Sequence, residues 1–103
     1  LELQAPDGDW VAIEAKPNQL IVDSCDMMAN LTNGQFRSTM HRVVNPHDLA
    51  KRRLSMPFFM HPTKDTDLTP LPACIERTSG EADFPSWTAE EFLAKRLSEI
   101  GLG

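Results

Sequence analysis

The chain has 103 residues, of which 41% are apolar and 24% charged, and its formal net charge is −5 at pH 7. This length suits a single domain with one core, and no apolar stretch approaches the roughly 18 residues that a membrane span needs. Basic residues are scattered except for Lys51-Arg52-Arg53, which argues against a surface that follows nucleic-acid phosphates. We therefore expect neither a membrane protein nor a nucleic-acid-binding protein.

The two cysteines indicate a reducing environment. Cys25 and Cys74 form no Cys-x-x-Cys pair, and no apolar leader typical of a signal peptide precedes them. Unpaired cysteine usually packs as a small apolar side chain, so two buried or half-buried thiols are favoured over a disulfide. The expected location is cytoplasmic.

The first third of the chain predicts short strands and one short helix. The predicted strands cover residues 1–4, 10–13 and 20–22. The first two are joined by a turn at Pro6-Asp7-Gly8-Asp9, because Pro, Asp and Gly favour tight turns. Asp26 can then cap a helix over residues 27–31, which ends at Asn33-Gly34.

Two longer strands are predicted in the middle of the chain. Residues 36–44 form the first, which Asn45-Pro46 closes because proline lacks a backbone donor. A loop over residues 47–52 leads to the second, residues 53–60, in which Pro57 favours an edge, a bulge or a gap in the ladder. Residues 61–86 are proline-rich and predicted to be irregular.

The end of the chain predicts a well-defined helix. Thr88 and Glu91 have the spacing of a capping box, and Trp87 and Phe92 that of a hydrophobic staple. Gly101 is a suitable terminator. Helical spacing also produces an apolar stripe, which we expect to lie against a sheet: Ala89, Phe92, Leu93, Leu97 and Ile100.

Three residues on the middle strands suggest chemistry. Arg53 and Ser55 are two apart, so a strand would present both on one face, where a guanidinium and a hydroxyl can hold a carboxylate. His41 could bind a metal, although a lone strand histidine is more often structural and a metal needs further ligands. Arg53 and Ser55 could equally be a surface pair of little energetic value. His47 in a turn and His61 at a strand end carry no clear role.

The motifs "LTNGQFRSTMHRVVNP" and "RRLSMPFFMHP", followed by "PLP" and the "TAEEFLAKRL" helix, resemble the carboxyl-terminal part of iron(II)- and 2-oxoglutarate-dependent oxygenases of the isopenicillin N synthase-like group. The resemblance implies a mainly β fold, part of a double-stranded β-helix or jelly roll, with a carboxyl-terminal α-helix. It implies His41 as the distal histidine ligand of Fe(II). It also implies that Arg53 and Ser55 bind the far carboxylate of 2-oxoglutarate.

The chain departs from that family in one respect. The family's other two iron ligands form a His-x-Asp motif on an earlier strand, and no such motif occurs here. We considered four substitutes, none at a matching position: Asp23, Asp26, His47 and His61. The chain is therefore expected to depend on a missing amino-terminal portion of the same enzyme and to be inactive alone.

The resemblance also divides the chain. Residues 1–60 are expected to supply barrel strands, residues 61–86 an irregular segment, and residues 87–103 a helix packed on the barrel. The expected activity is dioxygenase oxidation of a small organic substrate with O2. Two alternatives are an oxidase of the same family that does not use 2-oxoglutarate, and a non-catalytic β-sandwich binding module.

Overall fold

The computed structural model describes residues 1–48 and 50–102. Leu49, in the predicted 47–52 loop, and Gly103 lie outside the described residues. The regular elements, in chain order, are β1 (Glu2–Gln4), β2 (Trp10–Ala12), α1 (Asp26–Leu31), β3 (His41–Arg42), α2 (Pro72–Arg77) and α3 (Ala89–Glu99). Of the helices so described, none has both the length and the apolar character to cross a membrane.

The chain forms two compact units. One, here called the sheet unit, comprises Leu1–Asp23 and Thr39–Met60 and contains all three strands. The other, the helical unit, comprises Ser24–Ser38 and His61–Gly103 and contains all three helices. The small antiparallel sheet and the carboxyl-terminal helix agree with part of the predicted fold class. Helices hold more of the described residues than strands do, and the jelly roll stays a prediction.

The sheet unit is built on β1, which pairs antiparallel with β2 on one side and with β3 on the other. The predicted hairpin between β1 and β2 is confirmed. Its turn is closed by a bond from the Ala5 backbone N–H to the Asp9 carbonyl (2.8 Å), and Gly8 has a φ of +95°, which glycine adopts without steric cost.

The other predicted strands are shorter or missing in the described chain. The strand expected over residues 36–44 is limited to His41–Arg42, and those expected over residues 20–22 and 53–60 do not form. A strand needs a neighbour that accepts and donates its backbone hydrogen bonds, and β1 supplies one only to β2 and β3. Apolar side chains of the unpaired segments are accordingly exposed, as at Leu20 (92%) and Leu54 (88%).

A small apolar core holds the helical unit together. Leu68, Ala89 and Phe92 are buried, and Met27 and Trp87 pack against them. Ala89 and Phe92 of the predicted α3 stripe belong to this core, and that the stripe lies against a sheet stays a prediction. Leu93 and Ile100, also assigned to that stripe, are exposed.

Two buried asparagines fix the segment that was predicted to be irregular. Asn30 Nδ2 donates to the carbonyl oxygens of Leu68 (2.7 Å) and Pro85 (3.0 Å). Asn33 Nδ2 donates to Thr78 Oγ1 (2.7 Å) and to the Glu81 carbonyl (2.9 Å). Asn33 Oδ1 accepts from the Asp83 backbone N–H (2.8 Å). Side-chain bonds to backbone thus order much of residues 61–86, which also contain α2.

The ends of the helices differ in how well the sequence predicted them. The capping box of α3 is confirmed: Thr88 Oγ1 accepts from the Glu91 backbone N–H (3.3 Å), and Glu91 Oε2 accepts from the Thr88 backbone N–H (2.8 Å). At α1 the cap position is Cys25, without a side-chain bond, and Asp26 is the first helical residue instead of the cap. Asn33 and Gly34 end that turn with left-handed φ values of 51° and 79°, as expected.

The cysteines agree with the prediction of two thiols. Cys25 is exposed and Cys74 is half-buried, and neither takes part in a disulfide within the described residues. The expectation that both thiols are at least half-buried holds for Cys74 and not for Cys25, which lies at the start of α1 and outside the core.

Candidate functional site

His41 is positioned by the sheet. It is the first residue of β3 and lies opposite Leu3 of β1, and the bond from the Gln4 backbone N–H to the Met40 carbonyl (2.9 Å) holds the approach to it. Its side chain is 49% exposed. The backbone of the predicted metal ligand is thus fixed by β1, while its ring is accessible.

One nitrogen of the His41 ring has two neighbours. Nδ1 lies 3.1 Å from the Thr39 carbonyl oxygen and 3.3 Å from Asp23 Oδ2. Among the described residues, none forms a bond with Nε2. The ring is therefore held from one side, and its other nitrogen is available to a ligand or to solvent.

These residues can supply one ligand of an iron site and do not build the whole site. In the described part of the chain no cluster of three or more His, Cys, Asp or Glu residues converges in a way that could hold a metal. Neutral imidazole is a suitable ligand for iron, and an accessible ring nitrogen fits the role of one member of a two-histidine, one-carboxylate set. Asp23, considered as a substitute ligand, instead contacts Nδ1 of His41.

Arg53 and Ser55 lie in a segment with no regular structure. Both are exposed, and since residues 53–60 form no strand, the expectation that a strand fixes them on one face is not met. Arg53 lines a shallow polar cavity of about 250 Å³, whose other lining residues are Asn45, Pro46, Asp48 and Lys51. Between His41 and either residue, the described chain shows no hydrogen bond or ion pair. Their assigned roles stay predictions.

Arg42, the neighbour of His41, has two partners within the sheet unit. Its Nε donates to Glu2 Oε2 (2.7 Å), and its guanidinium lies 4.1 Å from the centre of the Trp10 ring. The cross-strand pairing of Glu2 with Arg42 brings these charges together. Arg42 therefore stabilises the sheet that carries His41 and is not a candidate ligand-binding cation.

The helical unit has a groove of about 470 Å³, but it contains none of the predicted site residues. Its floor includes Phe84, Pro85 and Phe92. Two of its cations are already paired, Arg96 with Asp26 (3.1 Å) and Lys95 with Glu99 (3.2 Å). With these two charges already neutralised, the groove is a less suitable candidate for ligand binding than the surroundings of His41.

Sequence reasoning did not identify the contact of Asp23 with His41. Asp23 was assessed only as a metal ligand, and the contact joins an irregular segment to β3 across 18 positions of the chain. A pattern of alternation or helical spacing cannot reveal such a contact.

Comparison with known proteins identifies the family of this chain. A family profile described as the 2OG-Fe(II) oxygenase superfamily matches residues 1–62. The chain is 28% identical over 88 residues to 1-aminocyclopropane-1-carboxylate oxidase 1 of Malus domestica, which covers 84% of this chain and 27% of that protein. It is 36% identical over 89 residues to gibberellin 20 oxidase 3 of Oryza sativa subsp. japonica, covering 86% of this chain and 23% of that protein.

A solved structure is similar as well. It is a crystal structure of a protein from Caulobacter crescentus assigned to the 2OG-Fe(II) oxygenase family, with a TM-score of 0.87 and 39% identity. The match covers 96% of this chain and 33% of that chain. The chain thus spans about a quarter to a third of the length of these relatives.

These comparisons confirm the predicted family and, at the level of the family, its Fe(II) and its co-substrate 2-oxoglutarate. The family profile covers more than half of the chain and includes His41, Arg53 and Ser55. Together with the similarity in structure, it shows that the chain belongs to the 2OG-Fe(II) oxygenase superfamily.

Proposed function

We propose that this chain is the carboxyl-terminal part of a non-haem Fe(II)- and 2-oxoglutarate-dependent dioxygenase that oxidises a small organic substrate with O2. The observation that carries the proposal is the family match over residues 1–62, because that segment contains all three predicted site residues. In this enzyme His41 binds iron, and Arg53 with Ser55 binds the far carboxylate of 2-oxoglutarate. When bound, the iron supplies the redox chemistry, and the protein supplies binding and orientation.

The arginine is suited to the carboxylate. A guanidinium offers parallel N–H donors that match the two oxygens of a carboxylate, and a serine hydroxyl adds another donor. Arg53 has no ion-pair partner among the described residues, so its charge is available. The nearby Lys51 adds positive charge at the same shallow cavity, which favours an acid there.

The exposed apolar residues of the sheet unit support a larger barrel. Five members of the 53–60 segment are mostly exposed: Leu54 (88%), Met56 (86%), Phe58 (87%), Phe59 (73%) and Met60 (85%). So many exposed apolar side chains in one short segment are typical of a surface that a partner covers. We propose that an amino-terminal portion of the same enzyme covers it, supplies the His-x-Asp ligands and completes the jelly roll, so that the chain alone is inactive. A cytoplasmic location likewise stays a prediction.

The names of the relatives leave the reaction open between oxidation and hydroxylation. The chain is similar to two oxidases and also to homoarginine-6-hydroxylase of Oryza sativa subsp. japonica, at 30% identity over 97 residues. The oxidase that does not use 2-oxoglutarate, an alternative expected from the sequence, stays the second candidate. A non-catalytic β-sandwich module is not favoured, because these relatives are named as enzymes.

The test compares this chain with the longest natural form of the protein that contains it. Each is titrated anaerobically with Fe(II) and 2-oxoglutarate, and the visible charge-transfer band of the chelate is recorded. We expect a band from the longer form only, together with O2 uptake that requires 2-oxoglutarate. O2 uptake without 2-oxoglutarate would favour the oxidase, and no band from either form would overturn the proposed function.

A stoichiometric band from the chain alone would overturn only the requirement for an amino-terminal portion. In that case other residues of this chain would have to complete the site. A His-x-Asp motif encoded shortly upstream of Leu1 would support the requirement before any protein is made.

A further inference from the structure

We infer that Asp23 is a positioning residue for His41: with the Thr39 carbonyl, it holds the proton of the neutral imidazole on Nδ1 and leaves Nε2 as the nitrogen that binds metal. The part of this inference that concerns metal binding rests on the proposed function. Its first step, the position of the proton, can be tested without any metal.

The geometry determines which nitrogen carries the proton. Both neighbours of Nδ1, the Thr39 carbonyl oxygen at 3.1 Å and Asp23 Oδ2 at 3.3 Å, are hydrogen-bond acceptors when the carboxyl is ionised. A bare Nδ1 lone pair would face two oxygen lone pairs, which is unfavourable. Nδ1 is therefore the donor, and since a neutral imidazole has one N–H, Nε2 has the lone pair.

Asp23 adds what the carbonyl cannot. The Thr39 carbonyl is only two residues from His41, so its position depends on the local backbone. Asp23 belongs to a different segment, and its contact restrains the orientation of the ring independently. A charged carboxylate oxygen is also a stronger hydrogen-bond acceptor than a carbonyl oxygen, so it favours the Nδ1 proton more. Because the Asp23 and His41 side chains are 34% and 49% exposed, solvent screens the contact and its effect should be moderate.

The experiment uses the longest natural form of the protein, free of metal and labelled with ¹⁵N-histidine. Long-range ¹H–¹⁵N spectra above the titration of imidazole report the tautomer, and loss of a signal in His41→Gln assigns His41. We expect the Nδ1–H tautomer in the wild type and a shift of the population towards Nε2–H in Asp23→Ala. Asp23→Asn keeps an acceptor and should resemble the wild type.

Glu14→Ala is the matched control, since Glu14 is an exposed carboxylate of the same unit without a partner among the described residues. It should leave the His41 signals unchanged. If Asp23→Ala does not fold, Asp23→Ser, whose hydroxyl ends short of the carboxylate position, replaces it. A wild-type Nε2–H tautomer, or an unchanged tautomer in the folded variant that lacks the acceptor (Asp23→Ala or its replacement Asp23→Ser), would overturn the inference.

Metal affinity separates this inference from the proposed function. Asp23→Ala should weaken Fe(II) binding by about tenfold, the lower end of the range for a lost outer partner of a metal-bound histidine. If the tautomer shifts but even His41→Gln leaves Fe(II) binding intact, the positioning role holds and the proposed function of His41 fails. If His41→Gln abolishes binding but Nε2 carries the proton in the wild type, the function stands and the inference fails.

Discussion

The sheet unit and the helical unit differ in how much of their apolar surface is buried. In the helical unit, Phe92 and Leu68 are buried together, and Asn30, only 1% exposed, satisfies two backbone carbonyls. In the sheet unit, the apolar side chains of residues 53–60 are exposed, and the backbone of this segment forms no strand in the described structure. The helical unit therefore contains the interactions that stabilise it, whereas the sheet unit presents surface that a further partner could cover.

The same comparison separates stability from function. All three predicted site residues belong to the sheet unit, and the largest buried side chains belong to the helical unit. Substitutions in the sheet unit should thus change iron or co-substrate binding with little change in melting, and substitutions in the helical unit should do the reverse. Each of the following predictions tests one side of this division.

The largest expected effect is that of His41→Ala in the longest natural form of the protein. Loss of a ligand should abolish turnover and weaken Fe(II) binding beyond the roughly 100-fold that loss of an outer partner can cost. Because the ring is half-exposed, the melting temperature should hardly change. Anaerobic Fe(II) titration and differential scanning calorimetry measure the two quantities. His47→Ala, an exposed histidine of the same unit, is the control, and unchanged Fe(II) affinity in His41→Ala would contradict the assignment.

Asn30→Ala should have the largest effect on stability. It leaves the carbonyl oxygens of Leu68 and Pro85 without their amide donor, which should lower the free energy of unfolding by about 3 kcal/mol. Urea denaturation provides the measurement. Gln35→Ala removes an exposed amide from the same unit and should cost almost nothing. Equal effects of the two variants would show that the buried network does not stabilise the helical unit.

Arg53→Lys tests the binding side of the sheet unit. Lysine keeps the charge but loses the paired donors, so the concentration of 2-oxoglutarate needed for half-maximal turnover should rise by about tenfold, equivalent to about 1.4 kcal/mol. Arg52→Lys makes the same exchange at the adjacent exposed position and should leave this concentration unchanged. If Arg53→Lys also has no effect, the co-substrate carboxylate is bound elsewhere, or 2-oxoglutarate is not used.

The sequence predicted the elements whose signals are local. The β1–β2 hairpin follows from Pro6-Asp7-Gly8-Asp9, and the start of α3 follows from Thr88 and Glu91, because each depends on residues within a few positions of one another. The 53–60 strand was predicted from its apolar composition, yet strand formation depends on a neighbour that composition does not supply. The Asn30 and Asn33 networks join residues more than 35 positions apart, and no periodicity indicates them.

For the candidate site, too, the sequence indicated individual residues but not the contacts between distant residues. Family resemblance identified His41, Arg53 and Ser55, whereas spacing alone left them as a structural histidine and a surface pair. The contact of Asp23 with His41 joins an irregular segment to β3, so it required the structure. A motif can therefore suggest a ligand residue, but it does not indicate which distant residues contact that ligand.

Thr88→Ala tests whether the best-predicted element matters only for stability. It removes the hydroxyl that accepts the Glu91 backbone N–H, and loss of such a cap should lower the free energy of unfolding by about 1 kcal/mol. Thermal melting measures this effect. Ser98→Ala, at an exposed position inside the same helix, should be nearly neutral. A change in turnover without a change in melting would contradict a purely structural role for α3.

The smallest expected effect concerns Asp67, which precedes the buried Leu68 of the helical unit. Hydrogen bonds from the Thr69 hydroxyl and backbone N–H hold the pKa of the Asp67 carboxyl below its usual value. A carboxyl with a lowered pKa in the folded state stabilises the protein above the pKa of the unfolded chain, about 3.9, and loses this contribution as the pH falls through the folded value. Asp67→Asn removes the charge but retains an acceptor, so it should melt slightly below the wild type at pH 7. The difference should shrink on acidification, whereas a difference that is constant between pH 7 and pH 2 would show that ionisation of Asp67 does not contribute to the stability of the helical unit.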